Sequence, residues 1–110
     1  MRIRELFEDA SLRNGTFDNA IAKMVRGYRS GKTTEHDTCY AHVGSVLRSM
    51  NVNDAEIRFW GLKRSGLIVH GDAVLPDGKI ISDIPVERYA RSGYELVKTI
   101  SMDDFVDHYT

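Results

Sequence analysis

The spacing of apolar residues changes near residue 52, and that change limits the folds open to this chain. Ahead of it, Phe17, Ile21, Met24, Val25 and Tyr28 recur at intervals of three and four, as one helix face requires. Thr16 supplies an N-cap, so a helix is predicted over about 17–28. Val43, Val46, Leu47 and Met50 repeat the pattern and predict a helix over about 38–50 that buries all four. Gly44 in its middle costs about 1 kcal/mol relative to alanine, which implies close packing against a neighbouring backbone. A shorter helix within 1–13 would place Ile3, Leu6 and Phe7 on one face and break at Asn14-Gly15. Residues 29–35 read as a polar loop and 51–56 as a turn.

Beyond the change, short β-type runs take over. Residues 57–60, 67–75, 79–84 and 94–100 read as strands, and 86–92 as a short helix. Ser101 then caps a final helix carrying Phe105 and Val106. Helices first and strands second argue for an α+β fold, with N-terminal helices packed on a small antiparallel sheet. At 110 residues the chain has material for a single compact domain, 1–110, around one core. In the run Pro76-Asp77-Gly78-Lys79, a two-residue Asp-Gly turn would place Pro76 opposite Lys79. Asp83 would then stand opposite Asp72, with His70 its diagonal neighbour on the same face.

Charge excludes some partners. Fifteen basic residues against 16 acidic ones, net −1, give no footprint for nucleic acid or an anionic membrane. No apolar run approaches the roughly 20 residues of a membrane span, and Met1-Arg2-Ile3-Arg4-Glu5-Leu6 lacks the apolar stretch of a signal peptide. The one cysteine rules out an internal disulfide framework, so a cytoplasmic location is expected. Gly27-Tyr28-Arg29-Ser30-Gly31-Lys32-Thr33-Thr34 falls short of a phosphate-binding loop. It has three residues between its glycines where four are needed, and a helix precedes it where a strand should. It reads instead as a helix end stopped by Gly31. His36, His42, His70 and His108 lack metal-ligand spacing, so neither metal nor cofactor is expected.

The chemistry concentrates on Cys39. The run Glu35-His36-Asp37-Thr38-Cys39-Tyr40-Ala41-His42-Val43 places polar cap residues ahead of an amphipathic segment. A thiol in the first turn of a helix is favoured as thiolate by the dipole and the free N–H groups. His70 interrupts an apolar strand, and Asp83 lies on the next one. A cysteine, a histidine and an aspartate in that order suggest a nucleophile, a base and an orienting acid. His42, nearly on the helical face of Cys39, competes for the base, and Asp72, on the face of His70, competes for the acid. The plainer reading of Cys39 is a small buried hydrophobe. Trp60, Phe59 and Tyr40 fit either a cleft or the core.

A cysteine opening a helix, followed by His70-Gly71-Asp72-Ala73-Val74-Leu75-Pro76-Asp77-Gly78-Lys79-Ile80-Ile81-Ser82-Asp83, resembles the papain-like superfamily of cysteine hydrolases. Its compact NlpC/P60 and transglutaminase-like branches are the most similar in plan, and the likeness runs from Asp37 to Ile84. The resemblance implies Cys39 as nucleophile, His70 as general base and acid, and Asp83 as the residue that orients the imidazole. It also implies an oxyanion hole built from the cysteine's own N–H and an upstream donor. Thr33 stands where the papain branch has glutamine, and Tyr40 where it has tryptophan. His36 and Thr38 are then the nearest candidates for the second donor. The implied activity is a hydrolase or acyltransferase acting on an amide or ester bond in a peptide, protein or small amide. The competing expectation is a small non-enzymatic binding or regulatory protein, of phage type, on the same fold.

Overall fold

Thr16 and Gly31 bracket the first described helix as the sequence requires. In the computed structural model, which describes residues 15–32 and 38–110, α1 spans Phe17–Ser30. The Thr16 hydroxyl accepts the Asn19 N–H at 3.2 Å, satisfying one of the free N–H groups of the first turn. Gly31 closes the helix at φ +69°, a left-handed cap that glycine adopts without strain. The helix expected within 1–13, and Thr33 to Asp37, lie outside the described residues.

Helix α2 spans Thr38–Ser49 and packs along α1 through two facing glycines. A Cβ on Gly27 would collide with the Ala41 backbone, and one on Gly44 with the Met24 carbonyl and, at 2.7 Å, the Tyr28 nitrogen. Gly44 therefore offsets its poor helix propensity by letting the two backbones touch. Val43 and Leu47 are fully buried and Val46 packs against the core. Met50, expected in the core, is 54 % exposed. It follows the last helical residue, and the chain turns away at Asn51 with φ +52°.

Four antiparallel strands follow: β1 (Glu56–Leu62), β2 (Ile68–Val74), β3 (Ile80–Ile81) and β4 (Tyr94–Ser101). They form one sheet in the order β3-β2-β1-β4, which makes the fold α+β. A short helix α3 (Glu87–Arg91) precedes β4. Ser101 caps α4 (Met102–Asp104) by accepting the Asp104 N–H at 3.1 Å, and a π-helical turn, Phe105–Tyr109, completes the chain. Ile57 and Phe59 of β1, Ala73 of β2 and Ile100 of β4 face α1 and α2 and build the core with Met24, Leu47 and Phe105. Arg58, Trp60, His70 and Asp72 alternate with them and occupy the second face, where α3 lies over them through Tyr89. Val69 and Val97 are bulged residues, skipped where β1 changes register with each neighbour, and both are turned toward solvent.

The hairpin between β2 and β3 departs from the two-residue turn expected of Asp77-Gly78. Leu75 pairs with Lys79, its N–H donating to the Lys79 carbonyl at 2.8 Å, and the loop holds three residues, Pro76-Asp77-Gly78. The Gly78 N–H bonds the Leu75 carbonyl at 2.9 Å, and Gly78 itself takes φ +91°. Proline at the second position of the turn sets the φ that suits this geometry, and glycine supplies the left-handed residue that follows. The register moves by one residue, so Ala73 faces Ile81 and Val74 faces Ile80. Asp83 therefore does not pair with Asp72. The strand expected over 79–84 also stops at Ile81. The Ser82 hydroxyl donates to the Ile84 carbonyl at 2.7 Å and accepts its N–H at 3.3 Å. Pro85 has no N–H with which to continue the ladder.

The helix contact predicts a substitution that helix propensity alone gets wrong. Gly44→Ala gains about 1 kcal/mol of propensity, yet forces two backbones apart, an overpacking that costs about 1–3 kcal/mol or more. A net loss of stability is expected by urea denaturation, while the same change at Gly27 behaves alike.

Candidate functional site

Cys39 is the second residue of α2, half-buried where the helix meets β2. Leu75 sends its N–H toward β3, so by alternation Ala73 and Gly71 do the same. Because β3 ends opposite Ala73, the Gly71 N–H reaches past the end of that strand. It acts on the Cys39 thiol in favour of the thiolate, as do the N–H groups of Cys39 itself and Tyr40. Glycine at 71 also lets α2 come close: a Cβ there would stand 2.9 Å from the Tyr40 ring.

The thiol is not the low-pKa group that its place on the helix suggests. Burial pushes the Cys39 pKa above its ordinary value and the Asp83 carboxylate adds to the rise. The three N–H groups pull the other way and are outweighed. Desolvation acts on the whole thiolate charge, whereas a helix terminus contributes only about 0.3–1 kcal/mol.

His70 stands on the second face, its side chain 2 % exposed. Its ring stacks on Tyr94 at 5.9 Å and meets the edge of Tyr89 at 5.1 Å. Nε2 lies 2.9 Å from the Tyr89 hydroxyl and 3.0 Å from that of Ser82. Nδ1 faces Asp83, whose carboxylate is 3.7 Å away. The expected neighbours thus come together by a different route: Asp83 reaches His70 because the chain turns at Ser82, not through strand register. Among the described residues no hydrogen bond joins Cys39 to His70. The thiol comes from the helix side and the imidazole stands on the opposite face of β2. The Asp83 charge acts on both.

The rivals take other places. His42 receives no hydrogen bond or ion pair at its ring among the described residues. Asp72 is fully buried on the face of His70, but its carboxylate goes elsewhere. Arg58 clasps it in a bidentate pair at 2.8 and 2.7 Å, Trp60 Nε1 donates at 3.2 Å and the Tyr89 hydroxyl at 2.7 Å. Tyr40 and Phe59 are core residues, while Trp60 packs against Tyr89 at 4.9 Å. His36 and the Thr38 side chain lie outside the described residues. Among those described, no three His, Cys, Asp or Glu side chains gather as metal ligands, and no helix is long and apolar enough to cross a membrane.

Tyr89, Ser82, Arg58 and the Gly71 N–H are participants that residue types alone did not single out. The one available signal was the alternation of polar residues along two strands, Arg58 and Trp60 on β1 with His70 and Asp72 on β2. Such a face normally meets water; here α3 covers it. No protein-family model, no curated protein and no solved structure matches this sequence.

Burial holds the His70 pKa below its ordinary 6.5, against the opposing charges of Asp83 and Asp72. The unfolded chain therefore binds the proton more readily than the folded one, and stability falls as pH drops through about 6.5. The urea midpoint is expected to be lower at about pH 5.5 than at about pH 7.5, and His70→Gln to narrow the difference. An unchanged difference in the variant assigns the effect to other groups.

Proposed function

We propose that this chain is a cysteine-dependent hydrolase or acyltransferase, papain-like in arrangement, that acts on an amide or ester bond in a peptide, protein or small amide. One observation carries the reading. The N–H groups of Cys39, Tyr40 and Gly71 favour the thiolate of the one cysteine, and the Asp83 carboxylate acts on both that thiol and the buried His70 imidazole.

In this reaction Cys39 starts as a neutral thiol and His70 as a neutral imidazole, in line with the raised and lowered pKa values. Nδ1 of His70, the nitrogen on the Asp83 side, takes the thiol proton as Sγ attacks the carbonyl carbon. The new S–C bond drives the carbonyl electrons onto oxygen, and the N–H groups of Cys39 and Gly71 receive that oxyanion. Collapse expels the amine or alkoxide, which takes the proton from His70. Water or another nucleophile then cleaves the thioester. Asp83 acts here as a counter-charge to the imidazolium rather than as the group that orients the ring.

The raised thiol and the missing Cys39–His70 hydrogen bond favour a second reading, a small binding or regulatory protein without chemistry. Acylation by 4-nitrophenyl acetate separates the two. A burst of one nitrophenolate per chain, lost in Cys39→Ala and slowed on the order of 10²-fold in His70→Ala, is expected of the enzyme. Equal rates in the wild type and a folded His70→Ala variant leave the binding reading standing.

A further inference from the structure

Two hydroxyls face His70 Nε2, and the single proton of each is already committed. Tyr89 gives its proton to Asp72 at 2.7 Å, the shorter of its contacts. Ser82 gives its own to the Ile84 carbonyl, also at 2.7 Å. Both oxygens therefore present lone pairs to Nε2, at 2.9 and 3.0 Å, and to each other at 3.0 Å. A ring nitrogen between two acceptors has to carry the hydrogen. The rival arrangement puts the proton on Nδ1, toward Asp83, but that separation of 3.7 Å exceeds a hydrogen bond.

We propose that Asp72, acting through Tyr89 and helped by Ser82, is the positioning residue that locks His70 in its Nε2–H tautomer and leaves the Nδ1 lone pair free on the Asp83 side. Asp72 touches no reacting atom. It is itself immobile, since Arg58 and Trp60 occupy its remaining acceptor positions. Burial pushes the Tyr89 phenol well above its ordinary range, so Tyr89 keeps the proton that it donates. Tautomer choice follows from which nitrogen is already bonded, the general rule for histidines that act as bases or ligands. The lock deepens the reading of His70 as the base, because a base needs its lone pair on the side where the proton arrives. It rests on that reading only for its catalytic consequence.

The test is histidine ring ¹⁵N NMR on the full chain above the titration of His70. Wild type is expected to show one tautomer, with Nε2 protonated and Nδ1 bare. A Tyr89→Phe, Ser82→Ala double variant removes both acceptors, and its His70 signals should shift toward the Nδ1–H form that Asp83 favours. Tyr89→Phe alone, with the ring retained, should shift them partway. A wild-type His70 protonated on Nδ1 overturns the lock, and so does an unshifted tautomer in the folded double variant. These outcomes are independent of Cys39 acylation. An Nε2–H imidazole beside a thiol that ignores His70 overturns the enzymatic reading and leaves the lock intact.

Discussion

A carboxylate with no exposed surface, Asp72, holds the second face of the sheet together. Its four donors come from β1 and α3, so one side chain of β2 ties three elements into one unit. A buried pair of this kind adds little net stability over a well-packed apolar set, because desolvation offsets the Coulomb gain. Removing one partner is another matter, at about 3–5 kcal/mol, since it strands a charge in the interior. The network therefore acts mainly on geometry. It sets where Tyr89 sits, and Tyr89 with Ser82 sets how the His70 ring is held.

The early end of β3 is the second constraint, and it is a local one. The three-residue turn, the Ser82 hydroxyl bonded to Ile84 and the proline at 85 together keep the strand at two residues. A longer β3 would have bonded the Gly71 N–H and covered the edge where Cys39 lies. Stopping it opens that edge and swings Asp83 toward both the thiol and the imidazole. The result is electrostatic opposition at Cys39, with N–H groups favouring thiolate against burial and a carboxylate favouring thiol. Burial wins, and the group is held as a thiol.

Much of the architecture was legible before any coordinates. Thr16 and Gly31 mark the ends of α1, Ser101 caps α4, and the switch from helical to strand spacing separates the two layers, because capping and periodicity depend on neighbours in the chain. Gly44 announced a close backbone contact, although only the fold identified the Met24 and Tyr28 backbone as what it meets. Met50 failed as a core residue because periodicity does not record where a helix ends. The hairpin failed by one residue because Pro76 joins the turn, a choice that the Asp-Gly pair alone does not determine.

The candidate site divides along the same line. From the sequence alone came the residue types and their order: a thiol at a helix start, a histidine on a strand, an acid after a turn. Alternation along β2 also put His70 and Asp72 on one face. Only the tertiary structure decided that this face is covered by α3, that Tyr89 and Ser82 hold Nε2, and that Asp83 lies at Nδ1. The thiol's raised pKa was likewise beyond the sequence. The reason is physical: caps and spacing act over a few residues of chain. Burial, proton placement and the meeting of charges depend on segments that are distant in sequence and adjacent only once the sheet and helices have packed.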